Sequence, residues 1–292
     1  MHYLVFTICV CVATCCCVHV GYCDNGDTAQ VDESDFAISK LNEAIKVLPD
    51  SPELYSARAR VWRKKRQYDK ALVDFSEAIR LGGGADVFED RGGVWFQKGD
   101  YKRAIADFDT AIRKGNEEFS VFGNRGLAYM KLEMWDNAYA DAKEAIRRNP
   151  QWATGYVMRS NIELMNGRTN LALADLDAFI CLDSKSWRAY SISAKLRSTS
   201  EDAELRNGEL AVEHGTRACE LTKWNNGDAL ESLATALAEV DRFGDAQARL
   251  QQAIDLSPTE KISMRQAMLV EFRNGMPHRA QYRGIGVGEK QE

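Results

Sequence analysis

Arg58, Arg91, Arg125 and Arg159 recur every 33 or 34 residues, and each is followed sixteen positions later by an aspartate: Asp74, Asp107, Asp141 and Asp175. A fixed offset nested in a fixed period constrains the chain more than any other feature, because it calls for one building block used several times. Further positions keep the same register. A small residue follows each arginine (Ala59, Gly92, Gly126, Ser160), and three of these are followed three positions later by an aromatic (Trp62, Trp95, Tyr129). Twelve residues after the small one stands Ala71, Ala104, Ala138 or Ala172, and four beyond that Phe75, Phe108, Ala142 or Leu176. Within each half the apolar residues step by three and four, the helical period. In YKRAIADFDTAI, Ala104, Ile105, Phe108, Ala111 and Ile112 fall on one face. The block is therefore expected to be two helices joined by a short turn such as QKGD (97–100), with small residues where the helices approach closely.

Composition agrees with a soluble helical chain. The five prolines, at 49, 52, 150, 258 and 277, leave long uninterrupted tracts. With 45% hydrophobic and 28% charged residues the chain has enough apolar surface to fold. The net charge of −5 and a single short basic run, RKKR at 63–66, do not point to nucleic acid.

The register of small residue, Tyr or Trp, Ala, Phe and terminal Pro resembles the tetratricopeptide repeat, over about residues 35–258. That resemblance implies an all-α fold, a right-handed superhelical α-solenoid of stacked helix-turn-helix units. On this reading residues 1–23 are a signal peptide or membrane anchor, 24–34 an acidic linker, 35–273 the array and 274–292 a disordered tail. Within the array, 35–49 are the second helix of a partial first unit, 52–183 four regular units, 187–224 an irregular unit with the polar loop STSEDAELRNG (198–208), 228–258 a last unit and 261–273 a capping helix.

The repeated arginine lies in the first helix of each unit and the aspartate in the second. The expected arrangement is a structural ladder of ion pairs, each guanidinium facing its own carboxylate or a neighbour's. Ser193 and Leu233 stand at the arginine position of the last two units, which are expected to pack with a purely apolar seam.

Catalytic and cofactor patterns are missing from the sequence. His214 and His278 are the only histidines after residue 23, without metal-ligand spacing around them. Cys219 stands where other units carry Ile79, Ile112 and Ile146 and is expected in the core. GGG at 82–84 lacks the Lys-Ser or Lys-Thr of a phosphate loop and reads as a turn. No enzyme, cofactor or metal is expected.

What remains is a surface. First helices line the concave face of such an array, and the resemblance places there Arg60, Arg63 and Lys64, then Glu89 and Phe96, then Asn124 and Met130, then Asn161 and Met165. The basic clamp that some members use for a C-terminal carboxylate would need cations where this chain has Ser56, Asp90 and Ser120. The expected function is a protein-interaction scaffold that takes a protein or peptide partner on this face, acidic toward residue 60 and apolar toward residue 165. A self-assembling envelope protein is the other reading. The apolar, cysteine-rich run at 3–20, free of Lys and Arg, implies export or membrane attachment.

Overall fold

The computed structural model describes residues 33–279. The segments read as signal or anchor (1–23) and most of the acidic linker lie outside these residues, as does the tail from 280. The described residues are all helical, with fourteen α-helices, one 3₁₀ turn and no strand among them. They divide into two compact units, 33–117 and 118–279.

The first unit contains α1 (Glu33–Val47), α2 (Pro52–Lys64), α3 (Tyr68–Arg80), α4 (Ala85–Gln97) and α5 (Tyr101–Arg113). α2 pairs with α3 and α4 with α5, and α1 packs on α2. In the second unit α6 (Phe119–Lys131) pairs with α7 (Trp135–Arg148), α8 (Ala153–Met165) with α9 (Thr169–Leu182), α10 (Trp187–Thr199) with α11 (Gly208–Leu221) and α12 (Gly227–Glu239) with α13 (Phe243–Asp255). α14 (Thr259–Arg273) closes the series against α13.

The periodic small residues mark the helix crossings. A Cβ at Gly92 would lie 2.8 Å from the Phe108 ring, so glycine lets α4 sit directly on that buried ring. Ala59 and Ser160 have no exposed surface at the equivalent crossings. Each turn inside a regular pair uses the same backbone device. The amide of Gln67, Asp100, Met134 or Arg168 donates to the carbonyl five residues back, at Trp62, Trp95, Tyr129 or Glu163. The residue before that amide is left-handed: Arg66, Gly99, Glu133 and Gly167 have φ of 57–81°. Glycine takes this conformation freely, while the side chains at 66 and 133 hold it at a cost.

The closing repeats depart from the pattern. α12 packs against α10 as well as α11 and α13, and ten of its thirteen residues are buried. The expected apolar seam is corrected here. Leu233 does pack in an apolar cluster with Leu230, Leu237 and Leu250. Ser193, however, meets buried His214 (Oγ to Nδ1, 3.0 Å), Ser191 meets Ser232 at 2.6 Å, and Ser198 donates to Thr235 at 3.1 Å. Small hydroxyls let helices approach as closely as alanines do while satisfying one another's hydrogen bonds. Of the segment expected as a disordered tail (274–292), residues 274–279 are described: His278 reaches Glu271 at 2.7 Å, and Arg279 donates to the carbonyl of Ser198 and pairs with the carboxylate of Glu239.

Candidate protein-binding face

The four arginines form two-point pairs with the aspartates sixteen residues on. Arg58 Nε and Nη2 each lie 2.7 Å from the Asp74 carboxylate; the Arg91–Asp107, Arg125–Asp141 and Arg159–Asp175 distances fall between 2.6 and 2.8 Å. The aspartate side chains are 5–9% exposed and the arginines 19–27%. Bidentate geometry answers both carboxylate oxygens at once, which an isolated buried carboxylate needs. In the first unit the remaining guanidinium nitrogen reaches back to the preceding second helix: Arg58 Nη1 to Asn42 Oδ1 at 2.6 Å, and Arg91 Nη1 to Ser76 Oγ at 3.2 Å. Hydrogen bonds donated to Asp74 and Asp175 raise the pKa of Arg58 and Arg159 above the ordinary guanidinium value, despite partial desolvation. Each arginine also lies 5.6–5.8 Å from the centre of an aromatic ring three residues before it: Tyr55, Phe88, Phe122 or Tyr156. These rings keep the same period in the sequence, so a signal for them was there to be read.

The residues expected on the binding face separate into groups. Arg60 Nε and Nη2 pair with Asp90 (2.5 Å) and Asp86 (3.0 Å), and Arg63 with Asp90 at 2.8 Å. Lys64 and Arg66 are exposed and have no ion pair among the described residues. With Tyr68 and Gln97, these four cations line a depression of about 530 Å³. Glu89 accepts a hydrogen bond from Asn116 at 2.7 Å, and half-buried Phe96 stands edge-on to Tyr101, with centroids 5.4 Å apart. In the second unit Asn124, Asn161 and Met165 are half-buried. Met130 is a correction. It is 6% exposed and packs with Ala138, Ala142, Met158 and Ile162, because its position on α6 turns toward α7 and α8. It belongs to the core and offers nothing to a ligand.

The ionisable groups of the core are likewise committed. Burial, aided by nearby Arg197, lowers the pKa of His214 below the usual imidazole value, and its ring stands edge-on to Tyr190. Burial pushes the Cys219 thiol up to about 12, so it is not a thiolate nucleophile near neutral pH. Among the described residues no cluster of three or more His, Cys, Asp or Glu could hold a metal ion, and no helix is long and apolar enough to cross a membrane.

Paired helices of about thirteen residues, stacked on a 33–34-residue period with small residues at each crossing, define an all-α helical-repeat protein. Residues 57–118 match the family model of the tetratricopeptide repeat, and the described residues fold as helix pairs of this kind. Among curated proteins it is similar to tetratricopeptide repeat protein 36 of Caenorhabditis briggsae, 45% identical over 47 residues, which is 16% of this chain and 26% of that one. The match thus spans about a quarter of the relatives' length. Its fold is similar to the C-terminal part of a repeat protein from Cytophaga hutchinsonii (TM-score 0.61, 18% identity, covering 79% of this chain and 93% of that one). It is also similar to YrrB, described as a tetratricopeptide-repeat protein with an unusual peptide-binding site (TM-score 0.50, 18% identity, covering 79% and 99%). Arrays of this kind are protein–protein interaction scaffolds and are typically non-enzymatic.

Proposed function

We propose that the chain binds a protein partner without catalysis, and that the first unit receives an acidic segment of that partner in the depression bounded by Arg60, Arg63, Lys64 and Arg66. The observation that carries this reading is the charge balance of the pocket. Two of its four cations are spent on Asp86 and Asp90, while exposed Lys64 and Arg66 have no ion pair among the described residues. Tyr68 and Gln97 add an aromatic edge and an amide to the same rim. Such a site favours carboxylates, with an affinity that falls as salt rises. The largely apolar run at 3–20, free of Lys, Arg, Asp and Glu, supports placing this binding outside the cytoplasm or at a membrane.

The test is a crosslinked pull-down from the native cell, using wild-type chain and the Arg60→Glu/Lys64→Glu variant side by side. The wild type should retain a partner that the variant loses, and the retained complex should weaken between 50 and 300 mM salt, roughly the range over which screening shortens the Debye length below 10 Å. Equal capture by both proteins contradicts the assignment of this depression.

A further inference from the structure

The turn inside each regular pair takes three residues: 65–67, 98–100, 132–134 and 166–168. Between α10 and α11 it takes eight, 200–207, with one 3₁₀ turn at Ala203–Leu205. This longer segment and the α8–α9 turn enclose a depression of about 700 Å³, within the roughly 300–1,000 Å³ of ordinary ligand sites. Every lining residue sits in a helix end or a turn. Half-buried Met165 and Leu205, with buried Leu196 behind them, form an apolar floor.

The long turn is held in place before any ligand arrives. Leu205 packs into the same apolar cluster as Leu164 and Leu196. Arg206 Nη1 donates to the Ser200 carbonyl at 2.9 Å, the Asn207 amide to the Arg197 carbonyl at 3.0 Å, and Asp202 accepts from the Glu204 amide at 3.0 Å. A wall fixed in this way costs little further ordering when a ligand binds.

The polar groups around the floor have one sign of charge. Exposed Glu201, Asp202 and Glu204 stand on the rim, and no lysine or arginine lines the depression. Arg168 and Arg206, next in sequence to lining residues, are engaged elsewhere, on Glu163 at 2.5 Å and Glu239 at 3.0 Å. The Glu204 carboxylate and the side-chain amides of exposed Asn166 and Asn170 have no hydrogen bond or ion pair among the described residues. A carboxamide carries both a donor and an acceptor, which is what the main chain of an extended peptide requires of a partner. The floor calls for an apolar side chain, and the uncompensated carboxylates call for lysine or arginine beside it, whose stems lie along apolar surface while their heads reach the rim.

We propose that this depression binds an extended segment of a partner protein in which one or two apolar side chains are flanked by lysine or arginine. The apolar groups sit on Met165 and Leu205, the main chain bonds Asn166 and Asn170, and the cations face Asp202 and Glu204. This site lies in a different unit from the basic depression near Arg60 and prefers the opposite charge, so either assignment can fail while the other stands.

The experiment titrates the full chain into fluorescein-labelled GRKLLKRG at low salt and follows fluorescence anisotropy. The serine counterpart GRKSSKRG, which keeps the charge and loses the apolar pair, should bind about tenfold more weakly. Glu204→Lys should weaken GRKLLKRG about fivefold or more. Glu204 is exposed, so its replacement leaves the fold in place. The acidic peptide GEDLLDEG reports on the first-unit site instead and should be unmoved by Glu204→Lys, while Arg60→Glu/Lys64→Glu should leave GRKLLKRG bound. In the chain carrying ¹³C-methyl methionine, the Met165 methyl signal, assigned with Met165→Leu, should shift when GRKLLKRG is added. No binding of GRKLLKRG below about 1 mM, equal binding of the serine peptide, affinity indifferent to Glu204→Lys, or an unmoved Met165 signal would each overturn the proposal. So would self-association of the wild type that Glu204→Lys abolishes in sedimentation, because a second copy would then be the occupant.

Discussion

Between Pro52 and Leu182 the polar group joining each helix pair is an arginine held on a buried aspartate. Between Trp187 and Asp255 the corresponding place holds a serine beside a histidine, or a leucine. There the ionic contacts have moved to where α12 meets α10 and α14. Arg265, 1% exposed, bonds Glu231 at 2.8 Å, Asp228 at 2.5 Å, the Ala253 carbonyl and Ser257, while Lys195 and Lys261 take up the remaining oxygens of the two acids. The difference teaches what an ion pair contributes in a stacked array. In the regular repeats it is renewed in every block and fixes how the second helix registers on the first. In the closing repeats one cluster around buried Arg265 and Glu231 ties α14 to α12 and α10. Neither arrangement is a large net source of stability, because desolvation offsets the Coulomb gain. Both become costly when one partner is removed.

Several perturbations sharpen this contrast before the decisive one. Arg265→Ala should have the largest effect, on the order of 4 kcal/mol in urea unfolding, because it leaves buried Glu231 and half-exposed Asp228 with only their lysines. A loss below about 1 kcal/mol would mean that α14 is not held by this cluster. Gly92→Ala should cost about 1–3 kcal/mol, since the new methyl meets the Phe108 ring at 2.8 Å. The same change at Gly244, where a Cβ meets nothing within 4 Å, should be neutral or slightly stabilising.

The closing cluster should also respond to acid. Burial alone would raise the Glu231 carboxyl, but Lys195 and Arg265 outweigh it and leave it below the ordinary range near 4.5. Asp228 is lowered in the same way by Lys261 and Arg265. A group depressed in the folded state adds stability above its unfolded pKa and loses it as pH falls through the folded value. Thermal scans should therefore show α14 destabilised below about pH 4.5, and Glu231→Gln should flatten that decline. A small gain is expected at the turn device: Glu133→Gly relieves a left-handed residue with φ of 59° and should add roughly 0.5–1 kcal/mol.

The regular repeats were readable because their signals are periodic. Small residues, alanines and the Arg–Asp offset recur in phase, so even a modest cue at each site adds up to a helix pair with a defined crossing. The aromatic rings three residues before each arginine follow the same period and were overlooked, because they fall outside the small-residue register that guided the alignment. Met130 was misplaced for another reason: one position on a helix turns the side chain by about 100°, and this one faces α7 and α8. The polar seam of the closing repeats was not legible because serines and threonines read equally well as exposed. Arg265 gave no sign of burial, since its acidic partners lie 34 and 37 residues earlier and belong to no repeated pair.

The central claim is that the repeated arginine and aspartate are one structural clamp, remade in each regular helix pair. A double-mutant cycle on Arg91→Leu and Asp107→Leu, read by urea unfolding, tests it most directly. Each single change should cost about 3 kcal/mol, somewhat less for the aspartate if the fifth of Arg91 that is exposed can reach water. The double change should cost little more than either alone, giving a coupling of about 2 kcal/mol or greater. Additive single effects with no coupling would contradict the clamp, as would unchanged stability in all three variants.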